Sequence, residues 1–373
     1  MHRLRVLHAS PTWFAPDSVV GGGERWVDNV MQALSVGAPG IEQAMVAIGA
    51  RAREARRGGV PVRILANERA SQVPMDAISA QLWQVFEDHD VIHVHQALTD
   101  FGAYACCVAT TLRKTVIATD LGGGANPVMM HGGLRLVDGV LSLSRYAQSL
   151  LPPMPPTATL IATGPVDTER FSPGGPRAAA PAAICVSRIM PHKGIDRIIR
   201  ALPPGLRLRI VGRVYHEPYR ALLGELAAGK DVEFIHDADD DRLIALYRQS
   251  SLFLQASCFL DIYGSLAPKT ELMGLTTLEA MACGLPIAVS ADGGSLPELV
   301  TDAAFGRVFT NQAELEALLR QHQAGLWPGG DAGDAARRHV VAACGLAAYG
   351  RRLADFYQGV HAQYRVGGLA CAS

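Results

Sequence analysis

Short apolar runs alternate along this chain with segments whose apolar residues recur every three or four positions. Runs at 4–9, 43–48, 91–94, 115–119 and 139–143 read as buried strands, as do runs at 183–186, 208–211, 232–235, 252–255 and 286–289. Helical spacing lies between them; after Gly194, for example, Ile195, Ile198, Ile199 and Leu202 share one face. Strands interleaved with helices predict an α/β protein whose parallel sheets are covered on both faces. Residues 346–364 read as a terminal amphipathic helix. No heptad pattern and no repeat of solenoid period interrupts the scheme.

Punctuation divides the pattern in two. Eight of the 22 prolines fall between 152 and 181, in a stretch with few charges. The expected organisation is a Rossmann-like domain over 1–165, a second over 166–345, and a final helix over 346–373. With 373 residues, each domain can bury its own core. The main cleft is expected between the two sheets, at the C-terminal ends of their strands.

Composition narrows the function class. Apolar content is 49% and formal net charge is −1, as in soluble globular proteins, with no bulk charge for nucleic acid. The seven cysteines are odd in number, scattered and without metal-site spacing, which suggests reduced thiols in a cytoplasm. The N-terminal apolar run is too short for a signal peptide, and no apolar stretch reaches transmembrane length.

The strongest chemical signal is Glu271-Leu-Met-Gly-Leu-Thr-Thr-Leu-Glu279, which continues to Gly284-Leu-Pro286. Leu275, Leu278 and Ala282 recur at helical spacing, so Glu271 precedes a helix start and Glu279 lies inside the helix. The amides of Gly274, Leu275 and Thr276 then offer an anion site with a carboxylate on either side. Sugar hydroxyls, diphosphate and ribose hydroxyls of a nucleotide-sugar have that layout. The plainer alternative is an acidic residue favouring a helix N-terminus followed by one solvated glutamate. Upstream, Arg188 and Lys193 flank a strand-to-helix turn, where two cations can clamp a diphosphate or simply sit on the surface. Lysine is scarce, with only Lys114, Lys193, Lys230 and Lys269 against thirty arginines, which favours a selected point charge at 193.

The first domain adds weaker signals. Gly21-Gly22-Gly23 permits close backbone approach to a ligand, or forms a mobile loop; it lacks dinucleotide spacing. His93 and His95 share a strand face, and a metal pair there lacks a third ligand at suggestive spacing. His93 is expected to pack or hydrogen-bond structurally, and His95 to point into the cleft. Asp120, before Gly122-Gly-Gly124, either orients a hydroxyl or caps a helix. Asp237-Ala-Asp239-Asp240-Asp241 resembles an acidic metal motif but also precedes a helical segment, where capping is expected. Residues 51–57 carry four arginines and read as a solvated basic helix, with adhesion to an anionic membrane as the alternative.

Taken together, Arg188 to Lys193 with its helix, the Glu271/Glu279 pair, residues 164–174 and Gly293-Gly294-Ser-Leu-Pro-Glu298 resemble the retaining glycosyltransferases of family 4, which have the GT-B fold. The resemblance covers nearly the whole chain and is densest from 160 to 300. It implies transfer of a hexose, mannose- or glucose-type, from a GDP- or UDP-linked donor to a carbohydrate, lipid-linked or small-molecule hydroxyl. It also implies domain closure, a metal-independent reaction without added cofactor, and a cytoplasmic enzyme, with peripheral membrane contact left open. Arg188 and Lys193 would neutralise the leaving diphosphate, Glu271 would hold the sugar and Glu279 the ribose. His95 would lie near the transferred sugar, and Gly22 and Gly23 near the donor phosphate. Residues 258–270 depart from the family pattern as an insert, with Asp261, Tyr263 and Lys269 expected near the donor sugar. A nucleotide-sugar epimerase and a non-catalytic nucleotide-sugar-binding subunit are the alternatives; a hydrolase lacks an acid/nucleophile pair.

Overall fold

The computed structural model describes residues 3–370, apart from 17, 19, 20, 72, 154–156 and 176–179. Cys371 and the connector prolines 155, 156 and 176 lie outside the described residues. The chain forms two compact units, one of Met1–Pro165 with Gly345–Ser373, the other of Val166–Cys344.

The first unit is built on eight strands. They are β1 (Arg5–Ala9), β2 (Glu42–Gly49), β3 (Arg53–Arg57), β4 (Val60–Ala66), β5 (Val91–His95), β6 (Thr115–Thr119), β7 (Gly139–Ser142) and β8 (Ala158–Ile161), in the order β3-β4-β2-β1-β5-β6-β7-β8. Every pairing is parallel except β3 with β4. Central strands β5 and β6 are buried at every position, as expected where helices cover both sheet faces.

β3 overturns one expectation. The arginine-rich segment is not a basic helix but an antiparallel edge strand. Val60 and Val62 alternate with polar or exposed positions in β4 and template a partner, whereas the arginine segment offers no apolar face for a helix to bury. Charged side chains on the outermost strand also oppose edge-to-edge association. Arg57 donates two hydrogen bonds to Asp28 at 2.7 and 2.9 Å and lies over the Phe14 ring, which ties this edge to the helix Gly22–Gly37.

The C-terminal helix Leu346–Ala370 packs within the first unit against Gly22–Gly37. Their crossing is close because glycines meet there: a Cβ on Gly350 would lie 1.9 Å from the Ala33 carbonyl oxygen. Tyr357 from this helix reaches into the sheet core, 2.6 Å from His93 Nδ1.

The second unit carries six parallel strands, β9 (Ala182–Val186), β10 (Arg207–Val211), β11 (Val232–Ile235), β12 (Leu252–Gln255), β13 (Ile287–Ser290) and β14 (Gly306–Phe309), ordered β11-β10-β9-β12-β13-β14. The order reverses direction at β9, so the loops after β9 and β12 flank a topological switch point, where α/β sheets bind ligands. Ile195, Ile198 and Ile199 are fully buried and pack the helix after β9 onto this sheet.

The helix crossing gives a stability test. Gly350→Ala should destabilise the protein by about 1–3 kcal/mol through overpacking. Gly359→Ala, on the same helix with nothing within 4 Å of the added methyl, should be neutral or stabilising by up to ~1 kcal/mol. Denaturant titration of both variants checks the contrast; equal effects would mean that the close approach carries no stability.

Candidate functional site

In the second unit Arg188, Lys193, Glu271 and Gly274–Thr276 gather around the ends of β9 and β12, with Glu279 farther along the helix Leu275–Ala282. β9 ends at Val186, the chain turns through Arg188, and a short 3-10 turn Pro191–Lys193 leads into the helix Ile195–Ala201. That turn drives Lys193 inward, so its side chain is almost completely buried. Its Nζ donates to Glu271 Oε1. Gln255 Nε2 and Ser257 Oγ donate to the same oxygen at 2.6 and 3.1 Å, while Thr277 Oγ1 holds the Gln255 amide at 2.7 Å. No hydrogen bond reaches Glu271 Oε2 among the described residues.

This arrangement revises the expected division of labour. Lys193 and Glu271, read in the sequence as separate groups, form one buried ion pair. Burial alone would raise the Glu271 pKa, but the Lys193 ammonium and the hydrogen bonds from Lys193 and Ser257 outweigh it, so the carboxyl titrates below its ordinary value. Neighbouring His192 is driven down to about 4, first by burial and then by Lys193, and is neutral at pH 7. Arg188, by contrast, is exposed and makes no ion pair among the described residues; its guanidinium lies 5.6 Å from the Tyr215 ring centroid.

The helix Leu275–Ala282 starts where the sequence places it. Gly274 caps it at φ 78°, a left-handed conformation that glycine adopts without strain. No side chain caps this end, so the first-turn amides remain available to an anion. Thr276 Oγ1 donates to the Val186 carbonyl at 3.0 Å, which fastens the helix start to the end of β9. Glu279 lies on this helix and is only 2% exposed, which rules out the solvated-glutamate alternative. Asp239 accepts from Arg242 N at 2.9 Å and caps the helix Asp240–Arg248, while Asp240 pairs with Arg170 at 2.9 Å.

Residues 258–270 form a hairpin. Leu260 pairs with Leu266 in an antiparallel bridge, and Cys258 N donates to the His192 carbonyl at 2.9 Å. Asp261 accepts from the amides of Tyr263 and Ser265 at 2.8 and 2.9 Å, so its carboxylate holds the turn. Tyr263 packs beside His216 and Tyr219.

In the first unit Gly21 caps the helix that starts at Gly22, and Glu24 accepts from Thr12 at 2.7 Å. Gly23 approaches Gln96, whose Oε1 accepts from Gly123 N at 2.9 Å, so the two glycine loops meet at one side chain. Asp120 accepts from Gly122 N at 3.1 Å within its own loop.

His95 requires correction: it does not face an open site but is fully buried. Strand β5 is central, and Trp26 and His8 cover its end, with the Trp26 ring 5.6 Å away and His8 Nδ1 3.1 Å from His95 Nε2. His8 is also the third imidazole absent from the sequence pattern. It sits beside His93 through the β1–β5 register, and ligand atoms of the three rings lie within 4.8 Å of one another. Most of their nitrogens are already engaged, His93 with Tyr357 and Thr119 and His8 with His95, which describes a hydrogen-bonded neutral network. Burial is the main cause that lowers all three pKa values, His8 to about 4. Spacing within one strand could not reveal His8; Gln255 and Ser257 were visible only as polar residues ending an apolar strand.

Residues 167–322 match the family model described as Glycosyl transferases group 1. Over 283 residues the chain is 28% identical to the GDP-mannose-dependent alpha-(1-6)-phosphatidylinositol monomannoside mannosyltransferase of Mycolicibacterium smegmatis, covering 66% of this chain and 70% of that one. It is 31% identical over 180 residues to a D-inositol 3-phosphate glycosyltransferase of Mycolicibacterium gilvum, covering 43% and 36%. The fold resembles sucrose-phosphate synthase from Thermosynechococcus elongatus, with TM-score 0.73, 18% identity and coverage of 97% and 100%. Anabaena HepE, solved with UDP and glucose, gives 0.71, 16%, 95% and 100%. Residues 167–322 thus match a group 1 glycosyltransferase domain, the fold is that of GT-B glycosyltransferases, and the chain is a glycosyltransferase.

The histidine network predicts a pH dependence. With folded pKa values below the ordinary 6.5, the unfolded chain takes up protons that the folded one excludes, so stability falls as pH drops. For His8 the loss spans pH 6.5 to about 4, at up to ~1.4 kcal/mol per pH unit. Urea midpoints across this range should decline, and His8→Gln should show a shallower decline.

Proposed function

We propose that this glycosyltransferase moves a hexose, of mannose type, from a nucleoside-diphosphate donor to a hydroxyl of a lipid-linked or inositol-containing acceptor, with retention at the anomeric carbon. The observation that carries the donor reading is the Lys193–Glu271 pair, gripped by Gln255 and Ser257 beside the uncapped start of Leu275–Ala282. The relatives named above support the sugar and acceptor classes: one is named for GDP-mannose and a phosphatidylinositol mannoside, the other for inositol phosphate.

In this reading the diphosphate lies between Arg188 and the amides of Gly274, Leu275 and Thr276. Glu271 accepts from sugar hydroxyls through Oε2, its Oε1 being committed to Lys193. Glu279 serves the ribose. The bond from the anomeric carbon to phosphate breaks while a bond to the acceptor oxygen forms on the same face, and the acceptor proton passes to the departing phosphate. Arg188 and the amides stabilise the charge that develops there. No divalent ion is required, because guanidinium and helix dipole occupy that electrostatic role.

Donor alone separates transfer from epimerisation: a transferase leaves the sugar configuration of its donor unchanged without acceptor. GDP-mannose and GDP should raise apparent stability in a thermal-shift panel, as ligands of the folded state do. If no nucleoside diphosphate or its sugar shifts the transition, the donor reading fails.

Two variants test the roles. Arg188→Ala should lower turnover on the order of 10²-fold with an unchanged unfolding midpoint. Lys193→Ala should lower both, because it leaves the largely buried Glu271 carboxylate without its cation, at a cost of about 3–5 kcal/mol. Glu271→Gln added to Lys193→Ala should recover part of the stability but not the activity. Initial rates and melting curves distinguish these outcomes. Activity should also survive excess EDTA; loss restored by manganese would reassign Asp239–Asp241.

A further inference from the structure

Thirteen large apolar or aromatic side chains are exposed among the described residues, and four of them fall within eight consecutive positions: Phe259, Leu260, Tyr263 and Leu266. A fifth, Tyr215, adjoins them through His216, whose ring centroid lies 5.7 Å from that of Tyr263. Isolated exposed leucines need no explanation, but so many exposed apolar side chains within one short hairpin mark a contact surface.

The hairpin presents these side chains on a firm support. Leu260 and Leu266 are partners in the antiparallel bridge, so they leave the same face, and they are 52% and 77% exposed. Ala267 N donates to Phe259 O at 2.7 Å, Gly264 N to Asp261 O at 3.0 Å, and the Asp261 carboxylate holds two further turn amides. The base is tied to His192 through Cys258, and the segment runs directly from Ser257 to Glu271, both parts of the donor cluster.

Charge selects the occupant. Arg213, two residues before Tyr215, is exposed and makes no ion pair among the described residues, and Arg188 lies over the Tyr215 ring. Of the nearby carboxylates, Asp261 is held by the turn and Asp292 by Arg197, which leaves the exposed Glu217 against Arg188 and Arg213. Aliphatic side chains flanked by tyrosines and arginines suit a lipid–water interface, where acyl chains, headgroup region and phosphates take each in turn. A two-fold contact with a second copy would gather the same cations on both sides, which disfavours it.

We propose that the hairpin 258–270, together with Tyr215 and Arg213, is a docking surface for an anionic phospholipid bilayer. It rests on the lipid-linked reading of the acceptor only in its consequence, that docking brings such an acceptor beside the donor cluster. The test is sedimentation of the full chain with vesicles of phosphatidylglycerol and phosphatidylcholine, compared with phosphatidylcholine alone. The protein should partition onto the anionic vesicles, more weakly at high salt. Leu260→Ser with Leu266→Ser should reduce partition by about tenfold or more while the thermal shift with GDP stays unchanged. Failure of the parent protein to bind, or equal binding by the double variant, overturns the proposal. Light scattering that finds a dimer abolished by the same double variant also overturns it, in favour of a second copy. Vesicle binding without any GDP shift leaves docking standing and removes the donor reading instead.

Discussion

The second unit is organised around one buried ion pair. Lys193 and Glu271 stand far apart in sequence, and each would be costly to bury alone. Gln255 and Ser257 complete the arrangement by donating to the same carboxylate oxygen, and Thr277 orients the Gln255 amide. Breaking any of these contacts leaves a polar group short of a partner in a dry setting, so the cluster locks three loops at once. It fixes the turn after β9, the end of β12 and the approach to the helix Leu275–Ala282. The site's remaining members, Arg188 and the first-turn amides, owe their positions to that lock.

An ion pair as an organising centre also has a chemical consequence. The lysine charge is committed to the carboxylate, which leaves Arg188 as the exposed cation of the cluster. The carboxylate in turn stays ionised although largely buried, because the Lys193 ammonium and the hydrogen bonds from Lys193 and Ser257 outweigh desolvation. A carboxylate held charged and oriented in this way keeps one fixed geometry.

The first unit solves a different problem with neutral groups. Three imidazoles lie in its core, where charge would be expensive, and burial keeps them unprotonated. Tyr357 and Thr119 occupy both nitrogens of His93, so the C-terminal helix is joined to the sheet by a hydrogen bond as well as by the close helix crossing at Gly350. A residue from near the end of the chain thereby completes a core begun at residue 8.

Local pattern was enough to reveal much of this. Ten strands, the helix start at Gly274 and the aspartate cap at Asp239 follow from periodicity, turn residues and capping chemistry, all of which act over a few positions. Strands β3, β4, β8 and β14 escaped; β3 is the clearest case, because an arginine-rich strand has no apolar alternation of its own and takes its conformation from a neighbour. His8 and Gln255 escaped for a related reason: their roles depend on which strands lie side by side, and strand order is a property of the whole sheet. The sequence by itself thus determined the α/β architecture and the chemical vocabulary of the donor site. Only the tertiary structure decided that Lys193 and Glu271 act as one unit and that His95 is core, because burial and pairing arise between segments that are distant in the chain.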